Sequence, residues 1–206
     1  MPMTQGDQRP APLVGEIGQA LSETRISGEL VYSGVLLKIQ RDLAVASDGH
    51  ECVREYTLHP GAAAIVPLLG DDRLLMERQW RYPLNRSFLE FPAGKLDAGE
   101  PPLKAARREL LEETGYHARR WATLGQMHPV ISYSTEVIHL FLATDLTPGP
   151  AAREAGECLE LVEVGMDELF DLILAGTITD AKTLSAAFWL SQVQAGRFSP
   201  TWQTDR

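Results

Sequence analysis

The sequence predicts an α/β or α+β domain built on a mixed β-sheet, with a β-rich segment ahead of it. Three observations point there. Short β-like runs crowd residues 26–58. After them strands alternate with only a few helical stretches, so no regular βαβ repeat emerges. The 206 residues suffice for one ordinary domain with a short appendage, able to bury a core without disulfide or metal staples.

The elements follow in order. Residues 1–13 are rich in Pro, Gln and Gly and are expected to be untethered. ISGELVYSG (26–34), VLLKIQ (35–40), DLAVAS (42–47) and ECVREYTLH (51–59) read as strands, with a turn at SDGHE. AAAIVPLL (62–69) and RLLMERQW (73–80) flank Gly70-Asp71-Asp72, a hairpin signature. SFLEFPAG (87–94) reads as one short strand ending in a Pro/Gly break. PPLKAARRELLEETG (101–115) predicts the clearest helix, with prolines at its start and Gly115 as a C-terminal cap. WATLGQMH (121–128), EVIHLFLAT (136–144) and LELVEV (159–164) are strand-like, with a turn-rich loop over 147–157. MDELFDLILAG and DAKTLSAAFWLSQVQAG read as helices, the second opened by Asp180 as N-cap.

Composition narrows the function. Hydrophobic residues make up 44% and charged residues 23%, a globular profile. Nineteen basic against 28 acidic residues give a net charge of −9. That argues against nucleic-acid and membrane partners, which attract surplus positive charge. Small anionic substrates remain open, because a divalent cation neutralises repulsion locally. Cys52 and Cys158 leave room for at most one disulfide, and no Cys/His spacing suggests zinc. The first residues lack an apolar signal core, and no run approaches the roughly 18 apolar residues of a membrane span. A reduced, cytoplasmic setting is the simplest expectation.

The 101–115 helix carries the chemistry. On a helical wheel Leu103, Ala106 and Leu110 share one side, while Glu109, Glu112 and Glu113 gather on another. Carboxylates three and four residues apart repel by a few tenths of a kcal/mol, and the helix C-terminus disfavours them further. A hard cation such as Mg²⁺, with Mn²⁺ as the alternative, offsets that repulsion. The competing explanation is a solvated acidic face neutralised by Arg107 and Arg108.

The spacing around the helix decides between them. Gly94 is followed by five residues and Glu100, then by seven residues and Arg108-Glu109-Leu110. After one residue come Glu112-Glu113, and after one more Gly115 and Tyr116. This 23-residue run resembles the Nudix hydrolase box at every defined position, and residues 54–165 resemble the ADP-ribose pyrophosphatase branch of that family. The resemblance implies a mixed sheet between helices, with the box as a loop–helix–loop. It implies that Glu109 and Glu113 bind the main metal ion, with the Ala93 carbonyl as a further ligand. Glu112 matches a third carboxylate supporting another ion. Glu100 and Arg108 match positions that hold the loop and the glutamates in place.

The resemblance also implies hydrolysis of ADP-ribose, or a related nucleoside diphosphate sugar, to AMP and ribose 5-phosphate. Glu157 in the AAREAGECLELVEV loop best matches the general base and a late metal ligand, with Glu154 as runner-up. Glu112 and Glu113 join it as catalytic candidates. Arg81 matches an arginine that reaches substrate phosphates, and Glu90 a position near metal and substrate. The boundary falls at 58/59: residues 1–58 resemble a flexible N-terminus with an antiparallel β-sheet that pairs protomers, and 59–206 the hydrolase domain. In such a homodimer Arg54 and Glu55 line a partner's site, and Tyr32 and Tyr56 are candidates to stack on adenine. The run HPVISYSTEVIHLFLA (128–143) departs from the branch by lacking its Ser-Pro-Gly stretch. With Tyr133–Glu136 facing the pocket instead, the second sugar stays open, and His128 and His139 are minor candidates. Another nucleotide sugar, NADH, or a non-catalytic nucleotide sensor are the alternatives.

Overall fold

Strand β4 (Ala62–Leu69) shows why the sheet needs cover on both faces. Its alternate residues enter two different cores. Ala62, Ala64 and Val66 belong to one, and Ala63 and Ile65 to the other. A strand buried on both faces reads as a continuous apolar run, which is how AAAIVPLL reads. The computed structural model describes residues 21–70, 72–150 and 158–204. The untethered segment expected over 1–13 and most of the 147–157 loop lie outside them.

The chain divides into two units after Thr57. In the first, β1 (Glu23–Ser33), β2 (Lys38–Ala46) and β3 (Glu51–Thr57) form an antiparallel sheet in that order. VLLKIQ and DLAVAS, expected as two runs, are instead a turn followed by one strand. The Gly34 N–H closes the turn on the Leu37 carbonyl at 2.9 Å. Gly49, with φ 87°, makes the next turn.

The second unit holds β4, β5 (Arg73–Arg81), β6 (Arg86–Glu90), β7 (Ala93–Lys95), β8 (Tyr116–Met127), β9 (Ile138–Pro148), β10 (Leu159–Gly165) and β11 (Trp202–Thr204). The main path runs β10-β5-β4-β9-β8-β11, parallel between β4 and β9 and antiparallel elsewhere. Helix α1 (Pro102–Glu109) covers one face through Ala105 and Ala106, which together with Leu110 just beyond it pack with Ile65, Trp121 and Phe141. The two alanines let the helix approach the strands closely. Burying Leu110 completely makes its truncation to Ala worth about 2–5 kcal/mol. Helices α2 (Met166–Leu174) and α3 (Ala181–Gln194) cover the other face through Met166, Leu169, Ala186, Ala187 and Leu190. No helix among the described residues is long and apolar enough to cross a membrane.

Two departures from the sequence expectation build the site. The strand expected over 87–94 is broken. Strand β4 pairs with β5 only at Leu68 and Leu69, then turns to β7, while β5 turns to β6. Phe91 and Pro92 bridge β6 and β7: Phe91 is fully buried, and the Pro92 carbonyl accepts the Ile65 N–H at 2.9 Å. The divergence of β4 and β5 opens a gap in the sheet. The helix expected over 101–115 also changes its winding, becoming π-helical over Leu110–Thr114. The Thr114 hydroxyl donates to the Leu110 carbonyl, and Gly115 ends the helix at φ 73° with its N–H on the Leu111 carbonyl. Single π turns of this kind recur at functional sites.

Candidate active site

A cleft of about 540 Å³ opens where the strands diverge. One wall comes from the loop and helix that begin at Ala93. Glu109 and Glu113, one turn apart, are both buried, whereas Glu112 is half-buried. The Glu113 carboxylate accepts the Ala93 N–H at 3.0 Å. Glu109 lies against the Cα of Gly94: a Cβ there would stand 1.9 Å from its carboxylate. A side chain at this position would force the Glu109 carboxylate to move.

Arg108 ties this wall together. Its Nη2 donates to Glu100 Oε2 and the Lys95 carbonyl, both at 2.9 Å. Its Nη1 donates to Glu109 Oε1 at 2.7 Å and Glu112 Oε2 at 3.1 Å. The hydrogen bond from Arg108 holds the Glu100 carboxyl below its usual range, and Glu100 in turn raises the guanidinium's pKa. A planar five-donor fork can serve four acceptors in this way, and an ammonium cannot. Arg108 and Glu100 therefore hold the loop against the helix.

The facing wall is charged and mostly buried. Arg81, at the end of β5, makes a bidentate pair with Glu90 on β6, both bonds 2.7 Å. Burial opposes the Arg81 cation, but the Glu90 hydrogen bonds and charge outweigh it and raise its pKa. Glu77, fully buried and opposite Glu90 in the strand register, adds to that field. Lys182 in the first turn of α3 donates to Glu90 Oε2 and, at 3.1 Å, to Asp180 Oδ2. Asp180 caps α3 as expected, accepting the Thr183 N–H at 2.9 Å. The buried Thr183 hydroxyl accepts the Phe91 N–H at 3.1 Å, fixing the β6–β7 junction to the helix. Sequence reasoning missed Lys182, Thr183 and Glu77. A signal existed for Lys182, the sole charged residue in the fourteen of α3.

Cation-binding capacity rests on donor chemistry. The Glu109, Glu112 and Glu113 carboxylates and the carbonyl at Ala93 are hard oxygens, which suits Mg²⁺ or Mn²⁺. Among the described residues no three His, Cys, Asp or Glu side chains form one metal-holding group. The Arg108 fork instead spans Glu109 and Glu112.

The remaining candidates fall elsewhere. Glu157 and Glu154 lie outside the described residues. Arg54 belongs to the first unit, where its Nε pairs with Glu23 at 2.9 Å. Tyr32 is exposed, and the Tyr56 hydroxyl donates to Asp42 at 2.8 Å, a bond that raises its pKa. Of the run Tyr133–Glu136, Glu136 lines the cleft, whereas Thr135 accepts the His59 N–H at 2.9 Å. His139 faces Gln126 at 3.2 Å, and burial lowers its pKa.

Comparison with known proteins fits this geometry. The NUDIX domain model matches residues 58–187. A methanol dehydrogenase activator of Bacillus methanolicus is 34% identical over 87% of this chain and 98% of its own. An ADP-ribose pyrophosphatase of Bacillus subtilis is 33% identical over 86% and 97%. The crystal structure of an ADP compounds hydrolase superposes with a TM-score of 0.77 at 27% identity, covering 88% of this chain and 100% of that one. The domain match spans the gap in the sheet, the carboxylate-bearing helix and the first turn of α3, and on it the chain belongs to the Nudix hydrolase family.

Proposed function

We propose that this protein hydrolyses the diphosphate linkage of ADP-ribose or a closely related nucleoside diphosphate sugar, with Mg²⁺, to AMP and ribose 5-phosphate. The observation that carries this reading is one cleft lined by both kinds of charge: the carboxylates of Glu109, Glu112 and Glu113 and the guanidinium of Arg81. A diphosphate needs both, oxygen donors for its counter-cation and a cation for its own oxygens. The relatives named for ADP-ribose and ADP compounds support the substrate class.

Glu109, Glu113, Glu112 and the Ala93 carbonyl would hold the ion, which when bound neutralises phosphate charge and acidifies water. Arg81, steadied by Glu90, orients the diphosphate. Water adds to one phosphorus while the bridging P–O bond breaks. Glu157 takes the water's proton, with Glu154 as the alternative base. Arg54 reaches the site of a second copy in a homodimer. Support for that dimer is the first unit's exposed apolar surface, including Ile26, Leu30, Val31 and Val53. Two free cysteines favour a reducing, cytoplasmic location.

The test is a panel of nucleoside diphosphate compounds with Mg²⁺ and product identification by mass. ADP-ribose yielding AMP and ribose 5-phosphate supports the reading, and no turnover of any nucleoside diphosphate sugar removes it. The similarity to an activator protein favours one second reading, a regulator that binds nucleotides. Binding without turnover across the panel would select it.

A further inference from the structure

We infer that Lys182 is a positioning residue that lets Arg81 share itself between Glu90 and the substrate. The inference deepens the diphosphate reading and rests on it. Glu90 is 2% exposed, so its carboxylate must be compensated inside the protein. Arg81 supplies two hydrogen bonds, but this side chain also lines the cleft and must turn its charge to an incoming phosphate. If Arg81 were the sole counterion, binding substrate would strip a buried carboxylate of its partner, and such stripping is strongly unfavourable. Lys182 removes that conflict. Its ammonium sits on Glu90 Oε2 from the opposite element, α3, and is itself held by Asp180 at 3.1 Å. Asp180 is fixed by the Thr183 N–H and hydroxyl, at 2.9 and 2.7 Å. The lysine is therefore a resident counterion, locked by the helix cap, and Arg81 becomes the adjustable one.

Four features make this more than a surface ion pair. Lys182 is 8% exposed, in a position where lysine is rarely buried without a partner. Its helix carries no other charge. The same helical turn also holds the neighbouring backbone, through Thr183 and the Phe91 N–H. Both Arg81 and Lys182 line the cleft, so the charge chain ends where phosphate is proposed to sit.

The test compares steady-state kinetics on ADP-ribose for wild type, Lys182→Met, Lys182→Gln and Lys182→Arg, alone and combined with Glu90→Gln. Lys182→Met and Lys182→Gln should each raise KM about tenfold while kcat changes less than about threefold. Lys182→Arg, which keeps the charge, should restore most of the loss. A merely structural lysine would lower kcat through a smaller active fraction and leave KM alone. In the Glu90→Gln background the carboxylate that Lys182 compensates is gone, so adding Lys182→Met should shift KM by less than about twofold. An unchanged KM in both single variants, or the same KM rise with and without Glu90, would overturn the inference. ADP binding by titration calorimetry gives the same comparison without turnover. Wild type that neither hydrolyses ADP-ribose nor binds ADP would sink the diphosphate reading and this inference together. Wild type that turns over normally beside unaffected Lys182 variants would sink the inference alone.

Discussion

Replacing Gly94 by Ala is the smallest change that attacks the acidic wall. The added Cβ would lie 1.9 Å from both Cδ and Oε1 of Glu109, and 2.2 Å from Oε2. Against an ordinary contact of 3.4 Å the shortfall is about 1.5 Å. The Glu109 carboxylate must move by roughly that amount, and it is buried, with an Arg108 bond of 2.7 Å to lose. Overpacking of this kind costs about 1–3 kcal/mol. For a chain of this size that lowers Tm by about 2–12 °C. The effect on catalysis is larger, because displacing a positioned group by about 1 Å costs about 100-fold. We therefore expect kcat on ADP-ribose, at saturating Mg²⁺ and at a temperature where the variant is fully folded, to fall at least 100-fold. The assay pairs thermal denaturation with initial rates. A variant with kcat within about threefold of wild type would show that the Glu109–Gly94 contact does not serve catalysis.

The other predictions concern the same wall and the loop beyond it. Arg108→Lys keeps the charge but loses the fork, and should destabilise the protein by about 1.5–3 kcal/mol, read as a lower denaturation midpoint; unchanged stability would refute the clamp. Because Glu100 titrates below its ordinary 4.5 in the folded state, its contribution is complete above that pH and is lost as pH falls through the lower folded value. Tm of the wild type should thus drop more steeply than that of Glu100→Gln between about pH 5 and 3, and parallel curves would contradict it. Glu157→Gln should lower kcat severely, at least about 100-fold, with Tm unchanged; near-normal turnover would move the base elsewhere.

Legibility in the sequence followed the physics of local signals. Helix α1 announced itself because prolines, an apolar stripe and a terminal glycine all act within one segment. The strand AAAIVPLL was equally plain, since burial on both faces demands an unbroken apolar run. The break at Phe91-Pro92 was not resolved as two strands, because their separation depends on partners: β6 follows β5, and β7 follows β4. The short β11 escaped for a related reason, as three residues owe their extended form to pairing with β8. At the site the box residues were readable because their spacing is fixed by one loop and one helix. Lys182 and Thr183 act across 92 residues, on Glu90 and Phe91, and no local pattern encodes that distance. The π turn at Leu110–Thr114, where the Thr114 hydroxyl donates to the Leu110 carbonyl, involves a side-chain bond to the helix backbone that helical periodicity does not capture.

The central claim is that the acidic wall binds a divalent cation for diphosphate hydrolysis. Titration with Mn²⁺, followed by electron paramagnetic resonance, tests it without relying on turnover. We predict saturable Mn²⁺ binding that Mg²⁺ displaces, that ADP strengthens, and that Glu109→Gln and Glu113→Gln each weaken by at least about tenfold. Binding left unchanged by both substitutions, or no saturable binding by wild type with ADP present, would contradict it.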